Sequence, residues 1–373
     1  MPRVAITGTG AEIPEGSVSN EELVASFNAW VDRENPKRIA AGKPPLDYSS
    51  SEFIEYASGV KARRMLDPEG VLDPDRMAPR FPERANDELS LMAEFGCKSA
   101  RKALDEAGLS GEDIDFVICS ASHQQRPYPA VAIEIQQELG CKGAGFDMNL
   151  ACSSAGAAIH LAASLVRSGA QKRVLVITPE IISGHLNFRD RQTHFIFGDA
   201  SVALVIEGLE EGEIRPGAFE ILDTRVWTQM SSNIRSNFGF LNRASQERLD
   251  VVDMEGRLIT QVGNKVFKEV TVAAHHFIRE FLADNGNTPE DIRRYWLHQA
   301  NGRMNAMILK LVLGHEADED RAPMVLSWLG NTAGAGAVVS FDASKQGLKA
   351  GERGLFCAFG AGYSIGAALL EKM

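Results

Sequence analysis

One pattern occurs twice in the chain, and this internal repeat constrains the fold more than any other feature of the sequence. Residues 104–114 read LDEAGLSGEDI and residues 282–292 read LADNGNTPEDI, with Leu, Gly, Glu, Asp and Ile at identical spacing. A helix-like stretch precedes each copy, and a short apolar or aromatic run follows it. Each copy therefore predicts a helix that ends near a glycine, then a turn, then a buried strand whose end carries polar residues.

A second pair of similar segments follows in the same order. Residues 197–208 read FGDASVALVIEG and residues 359–372 read FGAGYSIGAALLEK. Two such units in tandem predict an α/β protein whose two halves pack about a pseudo-twofold axis, and we place these halves at residues 1–210 and 211–373. The alternative is chance recurrence of a common sequence pattern between an ordinary helix and strand.

Other parts of the sequence predict strands and irregular excursions. The strand candidates are rich in β-branched residues and lie at residues 3–8, 115–121, 173–180, 201–208 and 354–360. Three polar, Pro-rich or irregular stretches lie at residues 28–51, 67–87 and 226–249. In α/β proteins, loops of this kind often carry substrate specificity.

Composition and charge exclude several classes of protein. The 373 residues are 44% hydrophobic and 24% charged, as in ordinary globular proteins. The formal charge of −11 disfavours a nucleic acid partner, and an acidic protein partner would need a local basic patch. The five scattered cysteines form no CxxC pair, so neither a disulfide framework nor a metal site is indicated. No signal peptide or membrane span is recognisable, so we expect a cytoplasmic protein.

Cys152 is the first candidate for chemistry. A helix that begins at Ser153 or Ser154 would leave this thiol at its N-terminal end, where free N–H groups and the helix dipole favour an anion. Such a position is expected to lower the pKa of the thiol from about 8.5 toward neutrality. The alternative interpretation is that Cys152 is a small buried apolar residue.

Two further polar residues stand at the ends of apolar or glycine-rich runs. His298 follows the run YWL, and Asn331 lies in GNTAGAG, whose small residues permit tight turns and close approach of backbones. The segment AFGAGYSIGAAL at residues 358–369 could aim a backbone N–H at a developing oxyanion. A satisfied loop histidine and turns that serve only the fold explain these features as well. The other histidines singled out are assigned to structural roles: His160, His185, His194, His275 and His276.

The order of these motifs resembles the β-ketoacyl-acyl-carrier-protein synthase III family of the thiolase-like fold. Cys152 in NLACSSAGAAIHLA, His298 in LHQANGRM, Asn331 in GNTAGAGAV and the terminal FGAGYSIGAALL carry the resemblance, which covers nearly the whole chain. It implies a five-layered α/β/α/β/α sandwich built from two duplicated halves, usually a homodimer. It also implies an acyltransferase of fatty acid biosynthesis that condenses an acyl-CoA with malonyl-acyl carrier protein and uses no metal or organic cofactor.

The resemblance assigns catalytic roles to four positions. Cys152 would be the nucleophile that takes an acyl group from a thioester. His298 and Asn331 would stabilise the enolate formed when malonyl-carrier protein loses carbon dioxide. Backbone N–H groups of Cys152 and Ala361 would form the other oxyanion hole. Ala361 replaces the middle glycine of a family Gly-Gly-Gly, so this backbone donor requires a negative φ there.

The resemblance also assigns binding roles outside the catalytic set. Arg191 matches an arginine that contacts the adenine of coenzyme A, whereas Phe53 and Ala57 replace a tryptophan and an arginine that hold it. Tyr128 matches an aromatic residue at the end of the acyl pocket, contributed across the dimer. Three basic residues match positions implicated in docking acyl carrier protein: Lys268, Arg303 and Lys310. These departures and the excursions predict a primer longer than acetyl, such as a medium-chain acyl group.

Three alternatives are left open by the sequence. A degradative thiolase usually carries a second cysteine two residues before a C-terminal Gly-Gly run, and Cys357 lies three residues before Gly360. A catalytically silent partner of another ketosynthase would keep the fold without the reaction. A nicotinamide-dependent oxidoreductase has weak support, because GTGAEI at residue 8 lacks the third glycine of the dinucleotide-binding motif.

Overall fold

The structure is a computed structural model that describes residues 2–237 and 258–373. The helices are α1 (Asn20–Ala40), α2 (Ser51–Ser58), α3 (Pro68–Leu72), α4 (Leu91–Ala107), α5 (Val131–Leu139), α6 (Ser154–Arg167), α7 (Gly263–Asp284), α8 (Gly302–Leu313), α9 (Leu326–Leu329) and α10 (Gly336–Ser344). The strands are β1 (Arg3–Glu12), β2 (Ser17–Ser19), β3 (Ala62–Arg64), β4 (Phe116–Ser120), β5 (Ala144–Met148), β6 (Arg173–Glu180), β7 (Ala200–Leu209), β8 (Phe219–Thr228), β9 (Ile234–Ser236), β10 (Ile259–Gln261), β11 (Ile292–Leu297), β12 (Arg353–Gly360) and β13 (Ser364–Lys372). Within the two described ranges, no helix combines the length and apolar character needed to cross a membrane.

The main sheet joins strands from both ends of the chain. Its order in the described residues is β11-β12-β13-β8-β1-β7-β6-β4-β5. Strand β1 pairs with β7 along most of its length, whereas its pairing with β8 involves Ala5 and Ile6. The short β1–β8 contact therefore connects a group of strands from the first half with a group from the second. The predicted boundary at residue 210 falls between β7 and β8, and the division into two domains stays a prediction.

Helices α6 and α10 form a central layer between these two groups of strands. Ala158 of α6 and Phe341 of α10 share one apolar core with Val176 of β6 and Phe356 of β12. Side chains alternate along a strand, so the next residue on β6, Leu175, faces the other way. This alternation gives each group of strands two buried faces.

The outer faces of the strands are covered by two further pairs of helices. Leu175 packs against Phe95 of α4 and Ile135 of α5. On the opposite side of the molecule, Leu355 of β12 packs against Phe277 of α7 and Ile308 of α8. The five layers are therefore, in order, helices α4 and α5, the strands of the first half, helices α6 and α10, the strands of the second half, and helices α7 and α8. The predicted five-layered α/β/α/β/α fold is confirmed.

The repeated sequence motif adopts the same local structure in both copies. After α4 and after α7 the chain turns through a glycine in the left-handed region, Gly108 at φ 68° and Gly286 at φ 67°. A single 3₁₀ turn follows, capped by Ser110 in the first copy and Thr288 in the second, each paired with an aspartate three residues later. The turns lead into β4 and β11, as the sequence predicts.

The predicted strands agree with the observed ones, but one predicted excursion is wrong in part. All five strand candidates coincide with β1, β4, β6, β7 and β12. Residues 28–51, predicted to be irregular, begin inside helix α1, which continues to Ala40 with Pro36 within it. A capping box at Ser19 and a buried face that includes Leu23 and Phe27 stabilise this helix against the tendency of proline to break it.

The other two excursions are only partly irregular. Residues 67–87 contain the short helix α3 and are otherwise without regular structure. Residues 226–249 begin with the end of β8 and with β9. The remainder of this third excursion, from residue 238, lies outside the described residues.

Candidate active site

Cys152 lies in a 3₁₀ turn, Ala151–Ser153, directly before helix α6. Ala151 has a φ of 47°, which is unfavourable for a residue with a Cβ atom and costs on the order of 1 kcal/mol. The side-chain oxygen of Asn149 accepts the Ala151 N–H at 2.9 Å and holds this turn in place. The predicted position of Cys152 at the N-terminal end of a helix is confirmed.

The end of strand β12 approaches Cys152 so closely that a side chain is excluded there. A Cβ atom on Gly360 would lie 2.5 Å from the Cys152 Cβ and 2.9 Å from its Sγ. The backbone N–H groups of Ala361 and of Cys152 itself lie near enough to the sulfur to lower the pKa of the thiol. Ala361 is not among the non-glycine residues with positive φ in the described ranges. The sequence requirement for a negative φ at this backbone donor is met.

The electrostatic surroundings of Cys152 differ from the prediction. Burial, with a smaller contribution from the negative charge of Glu180, raises the pKa of the Cys152 thiol to about 12 against the lowering effect of the two backbone N–H groups. The predicted pKa near neutrality is therefore wrong for the free protein, because desolvation of the thiolate outweighs the donors. Cys152 is a protonated thiol at neutral pH until its proton has an acceptor.

His298 follows strand β11 and is buried and neutral. Its backbone N–H donates to the carbonyl of Cys357 at 2.9 Å, and its ring packs edge-on against Phe359 with a centroid distance of 5.5 Å. Burial lowers the pKa of His298 to about 3. The imidazole therefore carries one N–H at neutral pH and can act as an uncharged hydrogen-bond donor.

Hydrogen bonds of its backbone and of its side-chain oxygen fix the position of Asn331. Its N–H donates to the carbonyl of Ile196 at 2.8 Å, and its carbonyl accepts the Gly198 N–H at 3.0 Å. The side-chain oxygen accepts the N–H of Ala333 at 2.9 Å. The amide orientation is thus fixed, and no acceptor among the described residues is bonded to its NH₂ group. Asn331 can donate this group to a ligand.

Three separate parts of the chain bring these residues to one region. Cys152, Ala333 and Ala361 line the same cavity, and Asn331 is two residues from Ala333. His298 packs on Phe359, the neighbour of Gly360, which touches Cys152. Cys152 is in direct contact with the end of β12, and His298 and Asn331 adjoin residues of this region, Phe359 and Ala333, without themselves lining the cavity.

The cavity in front of Cys152 is large and is lined by both polar and apolar residues. Its volume is about 2000 Å³, and its walls come from residues 81–92, 122–129 and 234–236 and from α5. Ile181, Ile182 and Phe197 supply apolar surface. Tyr128 lies at the cavity wall with 81% of its surface exposed. Its role at the end of an acyl pocket stays a prediction.

The residues predicted to contact coenzyme A lie against each other. The guanidinium carbon of Arg191 is 4.2 Å from the ring centroid of Phe53, and its Nε donates to the carbonyl of Tyr48 at 2.8 Å. A base inserted between them would need a separation of about 7 to 8 Å, because each van der Waals contact takes 3.5 to 4 Å. The two side chains stack on each other at a separation that leaves no slot for adenine between them, and their role in binding coenzyme A stays a prediction.

The predicted carrier-docking residues lie on the outer helices of the second half. Lys268 on α7 and both Arg303 and Lys310 on α8 are exposed. The guanidinium carbon of Arg303 is 4.4 Å from the ring centroid of Tyr56, and Lys310 forms an ion pair with Glu316 at 3.3 Å. The docking role of these residues stays a prediction.

A polar cluster beside the cavity was not predicted from the sequence. Glu180, at the end of β6, is fully buried, and its Oε2 accepts the Ser122 hydroxyl at 2.6 Å. His123 and His185 line the cavity with their ring centroids 3.8 Å apart. An acidic residue ending an otherwise apolar buried strand was the available signal. Among the described residues, no group of three His, Cys, Asp or Glu side chains could hold a metal ion.

The second cysteine that a thiolase would need is not at this site. Cys357 is fully buried and belongs to the apolar core between the second strands and helices α7 and α8. It does not line the Cys152 cavity. The structure therefore gives no support to the thiolase alternative.

Comparison with known proteins agrees with the geometry. Residues 146–223 match the family described as 3-oxoacyl-[acyl-carrier-protein] synthase III, and residues 282–372 match its C-terminal part. The chain is 45% identical over 351 residues to beta-ketodecanoyl-[acyl-carrier-protein] synthase of Pseudomonas aeruginosa, covering 93% of this chain and 99% of that protein. It is 30% identical to beta-ketoacyl-[acyl-carrier-protein] synthase III of Chlamydia caviae, covering 100% and 97%.

A solved structure shows the same fold. The crystal structure of 3-oxoacyl-[acyl-carrier-protein] synthase III from Aquifex aeolicus superposes with a TM-score of 0.76 at 26% identity, covering 99% of each chain. The identity to the Pseudomonas protein spans nearly the full length of both chains. The chain therefore belongs to the 3-oxoacyl-[acyl-carrier-protein] synthase III family, whose members are condensing acyltransferases.

Proposed function

We propose that this chain condenses an acyl-CoA primer with malonyl-acyl carrier protein, releasing carbon dioxide and forming a β-ketoacyl-carrier protein. The observation that carries the proposal is the close approach of the end of β12 to Cys152: a Cβ atom on Gly360 would lie 2.9 Å from the sulfur, and the N–H of Ala361 follows directly in the chain. The buried, neutral His298 packs on Phe359 beside Gly360, and the amide of Asn331 holds Ala333, which lines the same cavity as Cys152. In this proposal the acyl group is held covalently on sulfur, so the reaction needs no metal or organic cofactor.

The first half-reaction is acyl transfer to Cys152. The sulfur attacks the thioester carbonyl, and the two N–H groups stabilise the negative charge that develops on its oxygen. The carbon–sulfur bond to coenzyme A then breaks. The leaving thiolate accepts the proton that Cys152 loses, so the step is neutral overall. This transfer supplies the acceptor that a thiol of pKa about 12 requires.

The second half-reaction is decarboxylation followed by carbon–carbon bond formation. The N–H of His298 and the NH₂ of Asn331 donate to the malonyl thioester oxygen, where charge appears as carbon dioxide leaves. Each such donor is worth about 3 to 4 kcal/mol in comparable sites. The enolate carbon attacks the acyl thioester carbonyl, and Cys152 leaves as a thiolate that takes up a proton.

The primer in this proposal is a medium-chain acyl group. The Pseudomonas relative is named for a ten-carbon β-keto product, and condensation adds two carbons, so its name implies an eight-carbon primer. The cavity of about 2000 Å³ with its wall at Ile181 and Ile182 has room for such a chain. Ligand sites commonly measure about 300 to 1000 Å³.

The partners follow from exposed surfaces of the described residues. Lys268, Arg303 and Lys310 would bind the acidic carrier protein, and Arg191 and Phe53 would contact the nucleotide end of coenzyme A after their stack opens. A homodimer is supported by the edge position of β5, where Phe146 is 38% exposed and the nearby Ile133 is 48% exposed. A cytoplasmic location remains a prediction from the sequence.

The test is a chain-length series of acyl-CoAs with malonyl-carrier protein. Mass spectrometry is expected to show an acyl adduct on Cys152 that is absent from a Cys152→Ala variant, and a β-keto product that depends on malonyl-carrier protein. The largest rate is expected with a medium-chain primer, and a preference for acetyl-CoA would contradict that choice. Condensation without malonyl groups would indicate a thiolase, and carrier binding without condensation a silent partner.

A further inference from the structure

Glu180 touches both halves of the site, although neither the motifs nor the proposed reaction assign it a role. Its Oε1 accepts the N–H of Ser122 at 2.9 Å and the N–H of Gly334 at 2.9 Å. Its Oε2 accepts the Ser122 hydroxyl at 2.6 Å. Ser122 belongs to the cavity wall of the first half, and Gly334 ends the segment 331–334 of the second half, which we call the Asn331 turn.

The approach of Gly334 to Glu180 is as close as the backbone permits. A Cβ atom on Gly334 would lie 2.8 Å from the Glu180 Oε1 and 3.0 Å from the Cγ2 of Thr178. The Asn331 turn therefore packs directly on the end of strand β6. The Glu180 carboxyl is fully buried, so water cannot replace it as the acceptor of these N–H groups.

The Asn331 turn connects this contact to the catalytic amide. Asn331 accepts the Ala333 N–H with its own side-chain oxygen, and the next N–H in the chain, that of Gly334, donates to Glu180. Ala333 has a φ of 44°, so the turn needs contacts that hold it in this conformation. A shift of Gly334 would rotate the Asn331 amide away from the thioester oxygen.

We propose that Glu180 is a positioning residue of the active site. Its carboxyl group holds the Asn331 turn against the Ser122 wall and so sets where the Asn331 donor lies relative to Cys152. This inference rests on the proposed function. It concerns a residue that touches neither substrate nor the reacting atoms.

The same carboxyl group also acts on Cys152 through its charge. Burial raises the pKa of Glu180 to about 8, while its bonds to Ser122 and Gly334 lower it. Above that pH the group is ionised and opposes formation of the Cys152 thiolate. The other titratable groups that interact with Glu180 are Asp199, Cys119 and His123. Asp199 also raises the pKa of Glu180, the pKa of Cys119 is raised by burial and by charges that include Glu180, and His123, 3.7 Å away, is neutral because burial and His185 lower its pKa.

The test separates position from charge with three substitutions. Glu180→Gln keeps an oxygen for both N–H groups and an NH₂ group for the Ser122 hydroxyl, but removes the charge. Glu180→Ala removes the acceptor, and Glu180→Asp keeps the charge on a chain too short to span both contacts. Ser122→Ala is the matched control, because it removes the hydroxyl bond while the Gly334 contact remains.

Two readouts are measured on each variant. The first is release of carbon dioxide from malonyl-carrier protein without primer, which depends on His298 and Asn331. It is expected to fall at least about tenfold in Glu180→Ala and Glu180→Asp, since small displacements of a catalytic group have large effects. It should stay within about threefold in Glu180→Gln, and the loss in Ser122→Ala should be smaller than that in Glu180→Ala. The second is the pH dependence of Cys152 alkylation by iodoacetamide, expected to move about one unit lower in Glu180→Gln.

Each possible outcome either supports or overturns the proposed role of Glu180. Decarboxylation at the parental rate in folded Glu180→Ala, or in Glu180→Asp should the alanine variant not fold, would overturn the positioning role. An equally large loss in Ser122→Ala would overturn it too, by assigning the effect to the cavity wall. A parent chain that releases no carbon dioxide would reject the proposed function itself. In that case an unchanged alkylation profile in Glu180→Gln would also reject the influence of Glu180 on Cys152.

Discussion

The turns before the two central helices have the same backbone design and different chemistry. Asn149 and Asn331 each accept, at 2.9 Å, the N–H of an alanine two residues later. These alanines, Ala151 and Ala333, have φ values of 47° and 44°, and each lies three residues before its helix, α6 or α10. The residue after the alanine is Cys152 in the first half and Gly334 in the second.

The difference shows how a duplicated fold divides one reaction between its halves. In the first turn the NH₂ group of Asn149 already has a partner, because its Nδ2 donates to the Ser122 carbonyl at 2.8 Å. Cys152 of the same turn supplies the nucleophile. In the second turn the NH₂ of Asn331 is left to donate, and Gly334 makes room for Glu180. The same turn conformation therefore places a cysteine sulfur at the site in the first half and an amide donor at the site in the second.

The residues at the ends of the equivalent strands β4 and β11 also differ between the two halves. The repeat places Ser120 at the end of β4 where His298 follows β11. Ser120 is fully buried and hydrogen-bonded to Thr178 at 3.0 Å, so it serves packing. His298 has a buried Nδ1 without a partner among the described residues. Within the part of the chain that the structure describes, the second half therefore has an unpaired polar atom at a position where the polar group of the first half is hydrogen-bonded.

The largest effect is expected from Gly360→Ala. The added Cβ would meet the Cys152 Cβ at 2.5 Å and would displace both the sulfur and the neighbouring Ala361 N–H. Acylation of Cys152 is expected to fall about 1000-fold or more, because nucleophile and oxyanion donor move together. Mass spectrometry of the acyl adduct measures this. Gly263→Ala is the control, since a Cβ there has no atom within 4 Å. Unimpaired acylation of Gly360→Ala would contradict the role of this contact.

A comparison of Asn331→Ala with its matched control Asn149→Ala tests whether the asparagine NH₂ group takes part in the reaction only in the second half. Both substitutions remove an acceptor from an alanine N–H in an equivalent turn. Malonyl decarboxylation is expected to fall about 100-fold in Asn331→Ala and less than about tenfold in Asn149→Ala, since the first alone removes a donor from the enolate oxygen. Carbon dioxide release measures it. Equal losses would show that the turns matter for backbone conformation alone.

The histidine of the second half is expected to make stability depend on pH. Burial lowers the pKa of His298 to about 3 from an ordinary value of 6.5, so the unfolded chain binds more protons between these values. Its contribution is complete above pH 6.5 and is lost as the pH falls toward 3. Denaturant unfolding at pH 7 and pH 5 should show a smaller loss of unfolding free energy in His298→Gln than in the parent. An identical loss would mean that folding does not lower the pKa of His298.

The smallest effect concerns the two alanines with positive φ. Glycine adopts this conformation without strain but gains freedom in the unfolded chain, so Ala151→Gly and Ala333→Gly should each change the unfolding free energy by less than about 1 kcal/mol. The two changes should have the same sign and similar size. Denaturant midpoints measure them. Opposite signs would break the equivalence of the two turns.

Local sequence patterns predicted much of this molecule. The repeat at residues 104–114 and 282–292 predicted two equivalent helix–turn–strand units, and hydrophobic runs located the strands. Helix α1 was mistaken in part for an irregular excursion, because Pro36 and the polar residues around it outweighed the buried face in the sequence. Glu180 was missed, because a single acidic residue at a strand end has no local signature of its contacts with Ser122 and Gly334.

The sequence by itself determined the duplicated α/β fold and the identity and order of Cys152, His298 and Asn331, because these follow from local periodicity and from motifs. The tertiary structure alone decided that Gly360 touches Cys152, that the thiol is protonated at neutral pH and that Glu180 joins the two halves. Desolvation and contacts between distant residues depend on how the layers pack, and spacing along the chain does not record them.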